Sequence, residues 1–227
     1  LKRKPFIIAI DGPAGAGKST TARLLAKKLG FIYVDTGALY RALTLKVLRK
    51  GIPVHEGAAI ESMAADTRLD LQIREGHQMV LLDGENVTGE IRSPEITNNI
   101  GPISSMPRVR ELLVQRQRQI VEDSSAPGVV MEGRDIGTVV FPHAEVKIFM
   151  LASIEERTKR RHNELVQRGV QSNAAKLRED ILRRDQQDTN RAAGALRKAE
   201  DAIELDTTRL NIEEQVEFIV DQVRRRQ

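Results

Sequence analysis

Residues 12–19, Gly12-Pro13-Ala14-Gly15-Ala16-Gly17-Lys18-Ser19, fit the spacing G-x-x-x-x-G-K-S/T. Glycine lets successive backbone N–H groups curl inward and make a nest for an anion. A helix that begins at the end of the loop adds its partial positive charge to the same spot. Lys18 supplies a mobile cation for the β- and γ-phosphates of a nucleoside triphosphate, and Ser19 a hydroxyl for Mg²⁺. With Thr20, these residues are the expected triphosphate-binding loop, and Ser19 is the expected metal ligand. The plain alternative is a glycine-rich turn between a strand and a helix. The full pattern in its proper context disfavours it.

A second group of residues raises the question of what receives the phosphate. Thr36 and Arg41 follow the short apolar run at 31–34, and Arg134 and Asp135 follow the run at 129–131. Arg157 and Arg161 stand at i,i+4, and Arg184, Asp188 and Arg191 at i, i+4, i+7 on one helical stripe. That is more arginine than ATP hydrolysis requires. A kinase whose acceptor already carries a phosphate must overcome repulsion between donor and acceptor. Several fixed guanidinium groups, each able to grip a phosphate through two donors, solve that problem. The plain alternatives are that Arg41 is a solvated helix residue and that residues 157–191 form a solvated surface laced by Glu155, Glu156, Glu179 and Asp180. Beside such a loop, a mobile arginine-bearing lid accounts better for that density.

The elements needed to position these groups alternate between strand and helix. Residues 6–10 read as a strand, and Ala22, Leu25 and Leu29 recur at helical spacing behind the loop. Residues 31–34 read as a second strand, followed by a helix from Ala38 to about Arg49 that stops at Gly51, with Asp35 or Thr36 as its cap. Residues 56–65 look helical. The period then changes: Leu69, Leu71 and Ile73 alternate, Met79 leads a second strand, Asp83-Gly84 turns, and Val87, Gly89 and Ile91 suggest a third. Gly101-Pro102 and Met106-Pro107 bracket the return to a long helix through Val121. Strands are expected at 129–131, 146–151 and 203–205, and helices from about Ser153, Asn173 and Ile212, with a frayed basic end at 224–226.

The fold class expected is α/β: a P-loop-type parallel sheet flanked by helices, with a small antiparallel insert lobe and a short arginine-rich lid. Residues 1–62 and 108–227 would form the core, including a lid at about 155–175. Residues 63–107 would form the β-rich lobe that covers the pocket.

Composition narrows the function classes. The chain has 227 residues, a net charge of +4 and no cysteine. Neither a disulfide framework nor a thiolate metal site is possible, which is compatible with a reducing cytosol. The basic start, Leu1-Lys2-Arg3-Lys4, has no apolar export segment behind it, and no run approaches the length of a membrane span. Aromatic residues make up only 3% and there is no tryptophan, so platforms for stacking nucleic-acid bases are scarce. A cytoplasmic monomer acting on small molecules, with neither nucleic acid nor membrane as partner, is the expectation. Three other classes stay open: a P-loop kinase for another small molecule, a nucleotide-driven switch or motor, and a nucleotide-binding protein without catalysis. No Asn-Lys-x-Asp guanine motif is present.

The chain resembles the bacterial cytidylate kinase family from end to end. The resemblance is carried by IDGPAGAGKST (10–20), DTGALYR (35–41), GEIRS (89–93), PRVRELLVQRQR (107–118), EGRDIGTVVFPHAEVKIF (132–149) and RRDQQDTNR (183–191). It implies transfer of the ATP γ-phosphoryl group to CMP or dCMP with Mg²⁺, UMP being a poor acceptor. By resemblance, residues 12–20 hold ATP. Arg41, Arg134 and Arg191 grip the acceptor phosphate, Arg184 lies near the sugar or the moving phosphoryl group, and Asp188 accepts from the ribose hydroxyls. Arg110 and Asp135 read cytosine, Thr36 supports the acceptor pocket, and Arg157 and Arg161 belong to the lid. Cytosine offers an acceptor pair beside a donor amine, which an arginine and a carboxylate complement. Gly101 stands where many members of the family have a serine that helps hold the base, which leaves two alternatives: Ser104 or Ser105 compensates, or base selectivity is weaker. Lys18-Ser19-Thr20 replaces the Lys-Gly-Thr of some members and restores the Mg²⁺ hydroxyl.

Overall fold

The computed structural model describes residues 4–74, 77–167 and 169–226. Leu1, Lys2 and Arg3 of the basic start, and Arg168, inside the expected lid, lie outside that description. The main sheet is parallel, in the order β2-β6-β1-β7-β8, formed by β1 (Phe6–Asp11), β2 (Ile32–Asp35), β6 (Gly128–Gly133), β7 (Val146–Leu151) and β8 (Ile203–Asp206). β1 lies between β6 and β7, so Asp11 pairs with Gly133 on one side and Phe149 on the other. Both β1 and β6 read as unbroken apolar runs because helices cover both faces of the sheet. Ile8 and Ile10 point to one face, with Leu25 of α1 (Lys18–Leu29) and Ile219 of α8 (Ile212–Arg224). Ala9 and Met131 point to the other, with Leu39 and Leu43 of α2 (Gly37–Arg49), Ile60 of α3 (Gly57–Ala65) and Leu113 of α5 (Pro107–Asp123).

The insert is a three-stranded antiparallel sheet, β3 (Leu69–Arg74), β4 (His77–Leu82) and β5 (Glu85–Asn86). Its third strand is shorter and earlier than the alternation of Val87, Gly89 and Ile91 suggests. The Val87 N–H still donates to the Val80 carbonyl at 3.0 Å, but the Val80 N–H donates to the Thr88 hydroxyl at 2.9 Å, so a side chain takes the place of the return bond. The chain then turns through a 3₁₀ segment, Glu90–Arg92. A second difference follows. Gly101-Pro102 does not break the chain but lies inside α4 (Pro94–Ser105), a helix capped by Ser93. Ile96, Ile100 and Ile103 form its buried stripe, and their burial offsets the hydrogen bond that Pro102 cannot donate. Met106-Pro107 does mark a break, between α4 and α5.

α6 (Ile154–Gln167) and α7 (Ala174–Asn190), which bracket the expected lid, pack against each other, and Asn173 caps α7. Arg191 ends the stripe as the C-cap in an extended conformation rather than as a helical residue. Thr36 stands at the N-cap of α2, but its side chain does not cap. The basic end is not frayed over its described length: Arg224 belongs to α8, and Arg226 donates to the Glu145 carbonyl at 2.7 Å.

Candidate active site

The loop between β1 and α1 is held from outside by side chains that donate to its carbonyls. Lys18 Nζ donates to the Pro13 carbonyl (2.7 Å), Arg157 Nη1 to that of Ala14 (3.2 Å) and the Thr207 hydroxyl to that of Ala16 (2.9 Å). Fixing these peptide planes pre-forms an anion nest. Gly12 is required by space: a Cβ there would lie 2.1 Å from the Met150 carbonyl oxygen, and its φ is +150°. Burial lowers the Lys18 pKa from an ordinary 10.5 to about 7, and the nearby Arg134 and Arg184 guanidinium groups push the same way. Glu132, at the end of β6, is also buried, accepts from the Tyr33 hydroxyl and lies beside Ser19, Lys18 and Asp35. Burial raises its pKa, and Asp35 adds to the rise.

Across the cleft, four arginines converge on few carboxylates. Arg134 Nε donates to Asp188 Oδ2 at 2.6 Å, and Arg191 Nη2 to Asp188 Oδ1 at 3.0 Å. Arg41 pairs with Asp35, while its Nε is buried without a partner. Arg184 is partly buried, and among the described residues it makes neither a hydrogen bond nor an ion pair. Burial lowers its pKa to about 10, and Arg134, Arg41 and Arg161 add repulsion, with Asp188 opposing. A partly buried guanidinium surrounded by like charge is one that an incoming anion would relieve. Arg161 itself pairs with Glu164 at 2.7 Å and is half-exposed.

A third cluster is aimed elsewhere. Arg110 pairs with Asp135, and their side chains are only 5% and 7% exposed. The guanidinium also donates to the Ser104 carbonyl (3.0 Å) and lies 5.4 Å from the centre of the Tyr40 ring. A Cβ on Gly194 would come within 2.1 Å of Arg110 Nη2, so only a bare backbone fits against it. The turn after β6 that carries Arg134 and Asp135 is held by Asp11, whose carboxylate accepts from the N–H groups of Ile136 (2.9 Å) and Gly137 (2.7 Å). Burial pushes the Asp11 carboxyl up to about 6, and these two bonds draw it back.

The predicted residues therefore fall into place unequally. Arg41, Arg134, Arg184, Asp188 and Arg191 share one cluster with Lys18, and Arg110 and Asp135 form the neighbouring one. Thr36 is buried, and its hydroxyl donates to the Glu132 carbonyl at 2.8 Å, which fixes a strand end. The Ser104 and Ser105 hydroxyls do not replace the missing serine at Gly101: both donate to the Gly101 carbonyl, at 3.1 and 2.9 Å. A Cβ on Gly101 would stand 2.9 Å from Gln187 Oε1. Arg157 is not a free lid arginine. It pairs with Asp185 at 2.5 Å and donates to the Ala14 and Ala152 carbonyls, under the phosphate loop.

Sequence reasoning missed Asp11, Glu132, Asp185 and Thr207. Asp11 and Glu132 stand at C-terminal strand ends, the position that flags Arg134 and Asp135, and that signal was available. Gln78 was missed too. Its amide exchanges hydrogen bonds with the Asp35 backbone (2.7 and 3.2 Å) and joins the insert to β2.

A sequence profile described as cytidylate kinase matches residues 8–225. The cytidylate kinase of Anoxybacillus flavithermus is 52% identical over 217 residues, covering 96% of this chain and 95% of that protein. The cytidylate kinase of Geobacillus sp. (strain WCH70) is 50% identical over 224 residues and covers 99% of both chains. Among solved structures, an uncharacterized protein from Eubacterium ventriosum shares the fold at 13% identity, with a TM-score of 0.51 over 96% of this chain and 98% of the other.

Proposed function

The chain belongs to the cytidylate kinase family, and from that premise we infer how its residues divide the reaction. The reaction is transfer of the ATP γ-phosphoryl group to CMP or dCMP, giving CDP or dCDP and ADP, a step of pyrimidine nucleotide metabolism. In our reading, residues 12–20 hold the ATP phosphates, and Lys18 follows the γ-phosphoryl group as it moves. Arg41, Arg134, Arg184 and Arg191 take the phosphate of CMP. An ionised oxygen of that phosphate attacks the γ-phosphorus in line, the bond to the β-phosphate oxygen breaks, and ADP leaves with the electron pair. No general base is needed. Arg184 and Lys18 stabilise the charge that spreads over the moving group. Asp188 orients two of the arginines and accepts from ribose, and Arg110 with Asp135 reads the base.

The observation that carries this reading is Arg184, a guanidinium without an anion of its own, among Arg134, Arg41 and Arg161 and near Lys18. A fixed cation in that setting is costly until a phosphate arrives.

Mg²⁺ fits the donor set. Oxygen ligands suit it, and the Ser19 hydroxyl stands beside buried Glu132. Among the described residues no three carboxylate or imidazole groups converge into a metal cluster. Ser19 would therefore hold the ion together with phosphate oxygens and water. Bound there, Mg²⁺ neutralises charge on the β- and γ-phosphates.

The same reading takes residues 1–62 and 108–227 as the kinase core, with a lid at about 155–175, and residues 63–107 as the acceptor lobe. The separate antiparallel sheet and its joint at Gln78 support that division. Among the described residues, no helix is long and apolar enough to cross a membrane. We take a monomer in the cytoplasm, with no nucleic-acid partner, as the working form. Donor and acceptor groups of one chain line one cleft, and a chain without cysteine suits a reducing compartment.

The test is ADP formation from MgATP with CMP, dCMP, UMP, AMP and GMP in turn. CMP and dCMP should be turned over fastest and UMP poorly. Equal use of the purine nucleotides, or ADP formation that no acceptor stimulates, would overturn the assignment.

A further inference from the structure

Asp11 ends β1 one residue before the phosphate loop, and only 4% of it is exposed. Backbone pairing with Gly133 and Phe149 already fixes its place in the sheet, so its carboxylate is available for another task. Oδ1 accepts from Ile136 N–H and Oδ2 from Gly137 N–H. These are the first amides of a single π turn, Ile136–Val140, and the first amides of a helical turn have no partner within it. Later amides are satisfied locally: those of Val139 and Val140 donate to the Asp135 carbonyl, and that of Phe141 to the Ile136 carbonyl. By position Asp135 is the cap, a role that aspartate commonly fills with its own side chain. It makes no capping bond here, and its carboxylate accepts from Arg110 instead.

We propose that Asp11 is a positioning residue for selection of the acceptor base: it caps the turn in place of Asp135 and so leaves the Asp135 carboxylate turned toward Arg110 and the base pocket. Asp11 thereby ties the acceptor-binding turn to the root of the donor-binding loop. Without its two oxygens, the Ile136 and Gly137 amides are left buried and unpaired, a costly state. The carboxylate best placed to relieve them is Asp135 itself, which would then abandon Arg110. The turn is closely packed here: a Cβ added at Gly137 would stand 3.2 Å from Lys147 Cδ and 3.4 Å from Asp11 Oδ2.

This proposal rests on Asp135 reading the base. Its test is Asp11→Asn in the full chain, where an NH₂ group faces one of the two N–H donors. Steady-state constants are measured for CMP, UMP and ATP, with a thermal melt to set the folded fraction. The ratio of kcat/KM for CMP over UMP should fall about tenfold and KM for CMP rise by a similar factor, while KM for ATP changes by less than about twofold. If Asp11→Asn does not fold, Asp11→Ser keeps one acceptor oxygen in a smaller volume and is read the same way. A folded variant with an unchanged CMP:UMP ratio overturns the proposal, whatever its melting temperature. Failure of both variants to fold also counts against it, since Asp11 would then serve folding first. An Asp135→Ala control separates the two ideas. A changed ratio there with an unchanged ratio in the Asp11 variants sinks this proposal alone, whereas an unchanged ratio in the control sinks the reading of Asp135.

Discussion

Arg110 of α5 and Asp135 of the turn after β6 form a buried ion pair, closed on one side by the Tyr40 ring and packed against the Gly194 backbone. An ionised carboxylate has room for about four hydrogen bonds, so Asp135 can hold Arg110 and still accept from a cytosine amine. Uracil would present an oxygen at that point, and two acceptors would face each other.

Asp135→Ala should therefore lower the CMP:UMP ratio of kcat/KM by roughly 10- to 100-fold, with little change in KM for ATP. It should also lower the melting temperature, because a buried Arg110 loses its partner, a change that typically costs about 3–5 kcal/mol. Rates with CMP and UMP that fall together at a constant ratio would make Asp135 a support for Arg110 and nothing more.

Arg184 should show the opposite balance between stability and activity. Among the described residues it has no hydrogen-bond or ion-pair partner to lose, and it has several like charges to escape. Arg184→Met should leave the melting temperature of the ligand-free protein unchanged or raised, while kcat falls by about 100-fold or more. Differential scanning calorimetry beside a turnover assay reads both. A melting temperature several degrees lower would show that the guanidinium serves the fold.

Lys18 predicts proton uptake on nucleotide binding. In the ligand-free protein burial holds its pKa near 7, and triphosphate charge must draw it back up. At pH 8 ATP binding should take up close to one proton, and at pH 6 close to none from this group, as read by calorimetry in buffers of different ionisation enthalpy. The sign for folding follows from the same shift. Between about 7 and 10.5 the unfolded chain binds more protons at Lys18 than the folded chain, so this group's contribution to stability rises with pH across that window. Uptake that is absent in the parent, or unaltered in Lys18→Ala, would contradict this.

Much of the fold is legible in local pattern. Strand β7 occupies the expected residues 146–151, and α8 starts at Ile212 as expected, since buried parallel strands and an amphipathic terminal helix each repeat one simple period. The insert was less legible. Gly101-Pro102 looks like a break in any local window, and only the burial of Ile96, Ile100 and Ile103 against the rest of the lobe carries α4 through it. Val87 and Ile91 are buried as a strand face would be, and the Val87 N–H still reaches the Val80 carbonyl, yet the Val80 N–H turns to the Thr88 hydroxyl and the ladder ends there.

Residue order alone sets the chemistry on offer: a glycine-rich loop whose pattern is written in contiguous residues, and a set of arginines and carboxylates at strand ends and on one helical stripe. Those signals are local, because an anion nest needs consecutive backbone groups and a stripe needs only a helical period. What the tertiary structure decided was pairing. Arg157 is tied to Asp185 and the Ala14 carbonyl, Arg134 and Arg191 share Asp188, and among the described residues Arg184 alone of that group has no partner. Each guanidinium carries the same charge and the same donors. Whether it anchors the fold or waits for a phosphate depends on which carboxylate the packing of distant helices brings within reach, and no local pattern encodes that distance.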